Sequence, residues 1–215
     1  HSDHRFSYEE AQDIIENKNG AISSSILESK LNSAVLTLNR YAKMMRSDRT
    51  KNGAISFDKH EVKFKLDENN KPIDILFKTA KDSNKLIEEF MLLANQQVAK
   101  FINEKGLPNI NRAHDTPNEA KLDSLRDLIK QFGYELRTES PEETRRSLNN
   151  LLISVKGTAE EDMINNLVIR TMQKANYTTK NIGHYGLAFK NYSHFTSPIR
   201  RYPDVMAHRL LQYYI

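Results

Sequence analysis

Apolar residues recur at intervals of three and four through most of this 215-residue chain, and only once does the interval drop to two. Intervals of three and four stack side chains on one face of a helix, whereas an interval of two places them on one face of a strand. The exception begins at Val62, Phe64 and Leu66, which are separated by Lys63 and Lys65. Turn-forming residues occupy Asp67 to Pro72, and the alternation resumes at Ile73, Ile75 and Phe77. This pattern predicts a β-hairpin over Glu61–Lys78. Helices must supply the rest of the packing, so the expected class is α+β, mostly α, with long helices and one hairpin.

The helix signals can be placed individually. Ser7 and Glu10 form a capping box ahead of a short helix ending near Asn17, with Tyr8, Ala11, Ile14 and Ile15 on one face. A long helix is predicted from Ser25 to Met45, with Ser25 and Glu28 at its start and Leu27, Leu31, Val35, Leu38, Tyr41, Ala42 and Met45 along its stripe. Arg40, Lys43, Arg46, Arg49 and Lys51 gather at its far end, where the helix dipole favours cations without any need for a ligand. Gly53 to Phe57 suggests an extended segment before the hairpin. A second long helix begins at Asp82 or Ser83 and is read as burying Leu86, Ile87, Phe90, Met91, Ala94, Val98, Phe101 and Ile102. Glu88 and Glu89 near its start point about 100° apart, which favours first-turn acids over a metal pair. Three further capping patterns follow, Thr116–Glu119, Ser140–Glu143 and Thr158–Glu161, with Gly133 and Gly157 closing the first two helices.

Charge is distributed unevenly. From Met163 to Ile215 seven basic residues face the single acid Asp204, a net +6, while the whole chain carries +4 and residues 1–162 therefore carry −2. The same segment holds His184, His194 and His208, and 8 of the chain's 18 Phe and Tyr residues. Basic groups hold phosphates and aromatic faces stack on bases, so the mixture suits single-stranded nucleic acid. At its centre, Thr196-Ser197-Pro198-Ile199-Arg200-Arg201-Tyr202-Pro203-Asp204 contains two prolines five apart. These predict a bent lead-in to a helix over Pro203–Tyr214 whose core side is Val205, Met206, Leu210 and Tyr213. Arg200 and Arg201 would then lie beside unpaired backbone N–H groups at a positive helix end, a site for an anion. The plain alternative is an arginine pair on a solvated helix start.

The run from His194 to Asp204, followed by His208-Arg209, resembles the closing signature of the RNB catalytic domain of the ribonuclease II and ribonuclease R exoribonucleases and their eukaryotic exosome relatives. His184-Tyr185-Gly186-Leu187-Ala188 matches the family's lead-in, and Leu86 to Asn95 matches an internal helix. The details look closer to ribonuclease R. His1-Ser2, Arg5 and Phe6 resemble an internal stretch of that domain, so the chain is expected to be the C-terminal portion of an RNB catalytic domain, residues 1–215, without the cold-shock and S1 domains that flank it in the family.

The resemblance implies a parent enzyme that degrades single-stranded RNA processively from 3′ to 5′, releases nucleoside 5′-monophosphates and depends on Mg2+. It implies a catalytic role for Arg200 at the scissile phosphate. Arg201, His194, His208 and Arg209 would hold neighbouring phosphates or support their loop, with a structural role equally open for His208 and Arg209. Arg112 and His114 match an Arg-x-His loop that faces the RNA 3′ end in the family, although here no aromatic within the loop can stack on a terminal base. His184 is expected to be a hydrogen-bonded interior histidine. The family's metal is held by clustered aspartates. No such cluster precedes an apolar strand here, so no metal ligand is assigned and the chain alone is expected to cleave nothing.

Cysteine is absent, which excludes disulfides and thiolate metal sites and agrees with a cytoplasmic protein. No apolar run could span a bilayer, so no membrane association is expected, and a monomer is expected. Two alternatives stand beside the enzyme reading. One is a non-catalytic RNA-binding or regulatory protein on an RNB scaffold; the other is a helical module whose basic end docks an acidic protein.

Overall fold

The computed structural model describes residues 3–16, 26–55 and 60–215. Element order is α1 (Tyr8–Glu16), α2 (Ile26–Lys51), β1 (His60–Leu66), β2 (Pro72–Thr79), α3 (Asp82–Glu104), β3 (Asn111–Ala113), α4 (Glu119–Lys130), α5 (Pro141–Ser154), α6 (Glu161–Thr171), β4 (Asn176–Thr178), a 3-10 turn (Tyr185–Leu187) and α7 (Tyr202–Tyr214). The mostly helical α+β class is as expected. No described helix is long and apolar enough to cross a membrane. The chain divides into two units, His1–Ser47 with Asp58–Phe90, and Asp48–Phe57 with Met91–Ile215.

In the first unit, Ile15, Ala42 and Leu86 are buried together, with Val35 and Phe90 against them. The α1 capping box forms as predicted: Glu10 N–H donates to Ser7 Oγ at 3.1 Å, and Ser7 N–H donates to the Glu10 carboxylate at 2.7 Å. The expected start of α2 at Ser25 lies outside the described residues. Its end runs past the predicted Met45 to Lys51, because cations are favourable in a last turn. Lys43 and Arg46 meet Asp82 at 2.7 and 3.5 Å, and chiefly the Lys43 contact holds the Asp82 carboxyl below the usual carboxylate range. That part of the cationic cluster is structural. The hairpin pairs His60 with Thr79 and Phe64 with Ile75, with a bulge between Lys65 and Leu66.

The face that α3 buries is rotated from the one predicted. Ser83, Leu86, Glu89, Leu92, Asn95, Ala99 and Ile102 are buried, while Ile87 and Met91 are 38% and 41% exposed. The pattern misleads because three of the buried positions are polar. Asn95 in particular is buried because loop backbone needs it, as described below.

In the second unit, α4 and α5 both pack on α6. Ile129, Leu148, Val155, Ile164 and Val168 are each 0% exposed, joined by Leu122, Leu125, Leu136, Leu151, Ile55 and Tyr185. Each fully buried aliphatic side chain is worth about 1.5–3 kcal/mol. Ser140 caps α5 as predicted, accepting from Glu143 N at 3.2 Å with Pro141 in the first turn. The other two caps require correction. α4 starts later than predicted: Asn118 N–H donates to the Thr171 carbonyl at 3.1 Å, and the Asn118 side chain is the cap, accepting from Lys121 N at 3.1 Å. Thr158 Oγ1 donates to Val155 O at 2.8 Å and so closes α5 rather than opening α6, which has no side-chain cap. The extended segment after Gly53 is described only as far as Ile55, whose N–H donates to Gly186 O at 2.8 Å.

One small sheet was not expected. β3 and β4 pair antiparallel, Asn111 with Thr178, Arg112 with Tyr177 and Ala113 with Asn176. The predicted loop at Arg112 is therefore a strand.

Candidate nucleic-acid interface

The basic C-terminal segment is held from beneath by its own backbone amides. Phe195 N–H and Thr196 N–H both donate to Asn95 Oδ1, at 2.9 and 3.2 Å. Ser197 N–H donates to Asp204 Oδ1 at 2.7 Å. Arg200 N–H and Arg201 N–H both donate to the Ser197 carbonyl, at 3.3 and 3.2 Å. The amides of Arg200 and Arg201 themselves are thus in use, while the start of α7 has no side-chain cap.

The two arginines differ sharply. Arg201 binds the fully buried Asp204 at two points, Nε to Oδ2 and a terminal nitrogen to Oδ1, both at 2.8 Å. Its guanidinium is committed inside the protein, contrary to the expectation that both arginines face a ligand. Arg200 is exposed, and among the described residues its guanidinium reaches only Ser197 Oγ, at 3.5 Å. Ile199 beside it is 100% exposed and Tyr202 is 68% exposed.

α7 begins at Tyr202, and its buried side is Asp204 and Ala207, not Tyr213, which is 85% exposed. The ion pair at Asp204 sets that orientation. His208 stacks on Phe195 with ring centres 4.0 Å apart, and its Nε2 donates to the Phe195 carbonyl at 2.9 Å. Arg209 is exposed and makes no hydrogen bond or ion pair among the described residues.

The β3–β4 pair brings a further arginine, Arg112, to this region. The Arg112 guanidinium lies 4.7 Å above the Tyr177 ring. Tyr177 is 40% exposed, and its hydroxyl shares a 2.7 Å hydrogen bond with His194 Nδ1. Burial first, and then the charge of Arg201, push His194 down to about 4; Arg112 and Arg200 act on the same ring. Arg112, Tyr177, His194, Arg200 and Arg201 therefore form one electropositive constellation, although Arg112 is remote from the others in sequence.

His114 and His184 bracket the loops around them. His114 Nε2 donates to Gln173 O at 2.9 Å, and its Nδ1 accepts from Gly186 N at 3.1 Å. Burial lowers its pKa. His184 Nδ1 accepts from Leu187 N at 3.2 Å, and burial, followed by the His114 charge, pushes it down to about 3. Both ring nitrogens of His114, expected to face the RNA 3′ end, are engaged within the protein, and His194, expected to hold a phosphate, is neutral at pH 7.

No group of three or more His, Asp or Glu side chains converges among the described residues, so these residues do not fit a magnesium site. Glu89 is buried and Glu88 exposed, which does not favour a shared ligand pair. A cavity of about 360 Å³, lined by residues including Thr116, Leu122, Ser140, Thr144 and Tyr185, shares none of the constellation's residues.

This arrangement can be set beside known proteins. The model of the RNB domain matches residues 1–215. The chain belongs to the RNB-domain family. Ribonuclease R of Aquifex aeolicus is 34% identical over 97% of the chain and 29% of its own length. The RNB fold is also that of Mycoplasma genitalium RNase R in complex with ribose-methylated single-stranded RNA, at a TM-score of 0.83, 26% identity, and coverage of 96% of this chain and 32% of that one. Yeast Ssd1, a pseudonuclease, shares the RNB fold at a TM-score of 0.63 and 24% identity, over 96% of this chain and 25% of its own. The chain thus spans about a quarter to a third of these relatives. Within this RNB domain, sequence reading overlooked Tyr177, Asn95 and Asp204 as site residues. The hint for Asn95 was a polar residue interrupting an apolar stripe; Tyr177 belongs to the aromatic set of the basic segment, but nothing local ties it to Arg112.

Proposed function

We propose that this RNB domain forms the arginine-bearing side of the active centre of a ribonuclease R-type enzyme. Such an enzyme hydrolyses single-stranded RNA processively from 3′ to 5′ and releases nucleoside 5′-monophosphates. One observation carries the reading: in a loop whose Phe195, Thr196, Ser197, Arg200 and Arg201 amides are tied down and whose Arg201 side chain is committed to Asp204, the Arg200 guanidinium is left to meet a ligand. A donor fork on a fixed backbone grips phosphate oxygens at two points and needs little reorganisation as negative charge builds on them. Preorganised donors of this kind contribute on the order of 3 kcal/mol to such a step.

In this proposal Arg112, backed by Tyr177, and the exposed Arg209 hold flanking phosphates, while Arg201, His194 and His208 position the loop. Magnesium belongs to the proposal for the complete enzyme, and no step is assigned to it here. The 215-residue chain by itself is expected to bind RNA weakly and to release no nucleotide.

The test is Arg200→Ala in the complete ribonuclease. Turnover of a short single-stranded RNA should fall on the order of a hundredfold or more, with KM changed by only a few-fold. Undiminished turnover would sink the assignment. The RNB fold in a pseudonuclease supports a second reading, a non-catalytic RNA-binding protein, which predicts a complete protein that binds RNA and hydrolyses none. A helical protein-docking module would instead bind polyanions indiscriminately and lose that binding with Arg200.

A further inference from the structure

Asn95 is 4% exposed on α3, about a hundred residues from the loop it serves, and every polar atom of its side chain is engaged there. Its Oδ1 accepts from two successive amides, Phe195 N at 2.9 Å and Thr196 N at 3.2 Å. Its Nδ2 donates to Tyr192 Oη at 3.2 Å, so the tyrosine fixes which way the amide faces. Tyr192 is itself 5% exposed and braced between His184 and His194.

An amide oxygen with two lone pairs can satisfy two N–H groups at once, and a buried amide left without a partner is costly. Directly after these two amides comes Ser197, whose N–H is taken by Asp204 and whose carbonyl receives both Arg200 N–H and Arg201 N–H. The backbone from 195 to 201 is therefore pinned at consecutive points, and Asn95 holds the N-terminal end.

From this geometry we infer that Asn95, oriented by Tyr192, is a positioning residue for Arg200. It touches no ligand and acts by fixing the backbone from which Arg200 projects. The inference rests on the proposed role of Arg200. Displacement of a reacting group by about 1 Å can cost on the order of a hundredfold in rate. Loosening the loop at Asn95 should therefore lower kcat while leaving RNA affinity largely intact.

The experiment is a double-mutant cycle in the complete ribonuclease, with kcat and KM measured on a short single-stranded RNA. Asn95→Ala and Tyr192→Phe are each made alone and together with Arg200→Ala. Asn95→Ala is expected to lower kcat by ten- to a hundredfold, and Tyr192→Phe by a few-fold, with KM nearly unchanged. Both losses should disappear once Arg200 is alanine, because a positioning residue has nothing left to position. Equal losses in both backgrounds would show a structural role only and overturn the inference while leaving the Arg200 assignment standing. Arg200→Ala without effect would overturn the assignment itself, and the inference with it. Should Asn95→Ala fail to fold, the Tyr192→Phe cycle decides alone, and an additive loss or no loss overturns the inference.

Discussion

Removing one partner of the Arg201–Asp204 pair should have an effect that depends strongly on which partner goes. The Asp204 side chain is 0% exposed, whereas that of Arg201 is 22% exposed. Arg201→Met keeps much of the aliphatic stem but strands a carboxylate that cannot reach water, a change worth about 3–5 kcal/mol. Asp204→Asn removes the opposing charge, but the guanidinium can turn toward solvent and the asparagine oxygen can still accept from Ser197 N–H. The lost charge-assisted bonds then amount to about 1–3 kcal/mol. Urea unfolding of the two variants and of the native chain gives both numbers. Thermal midpoints should follow at about 2–4 °C per kcal/mol for a chain of this size. The reasoning fails if Asp204→Asn costs as much as Arg201→Met, or if both cost less than about 0.5 kcal/mol, the range of an ordinary surface substitution.

Other outcomes follow from the same structure. An added Cβ at Gly183 would lie 2.8 Å from the Phe189 carbonyl oxygen, at a φ of +77°, whereas at Gly133, with φ +82°, it would meet nothing within 4 Å. Gly183→Ala should therefore cost about 2 kcal/mol or more and Gly133→Ala about 1, compared by chemical denaturation; equal costs would contradict the packing around Gly183. Burial pushes His184 down to about 3 and His194 down to about 4. The unfolded chain then takes up protons first, near the ordinary histidine value of about 6.5. Stability from these groups is full above that pH and is lost as pH falls toward about 4. His184→Asn, which retains an acceptor for Leu187 N–H, should lose less stability between pH 7.5 and pH 5 than the native chain; an equal loss would show that His184 is not buried as described.

Short-range features were legible in the sequence because the atoms that cause them are neighbours. The Ser7–Glu10 and Ser140–Glu143 caps and the hairpin over Glu61–Lys78 all rest on residues a few positions apart or on a period of two. The Thr116 and Thr158 patterns had the right letters but failed, because Asn118 caps α4 in place of Thr116 and the Val155 carbonyl takes the Thr158 hydroxyl. Longer-range features were not legible. Strands of three residues are too short to show alternation, so the pairing of Arg112 with Tyr177 left no trace in the pattern. Tyr213 was assigned to the core because it is apolar enough to belong there, yet a charged residue, Asp204, determines which side of α7 turns inward. The aromatic missing from the Arg112 loop was supplied by another strand.

The joining of Arg112 to Tyr177 spans 65 positions. Closing so long a loop costs entropy that grows only slowly with length, but it delays assembly. A ribosome delivers Arg112 first and must then make all of α4, α5 and α6 before Tyr177 emerges. The constellation therefore forms only once Tyr177 has been made, and a nascent chain that stops short of it carries Arg112 without the ring that holds its guanidinium in place.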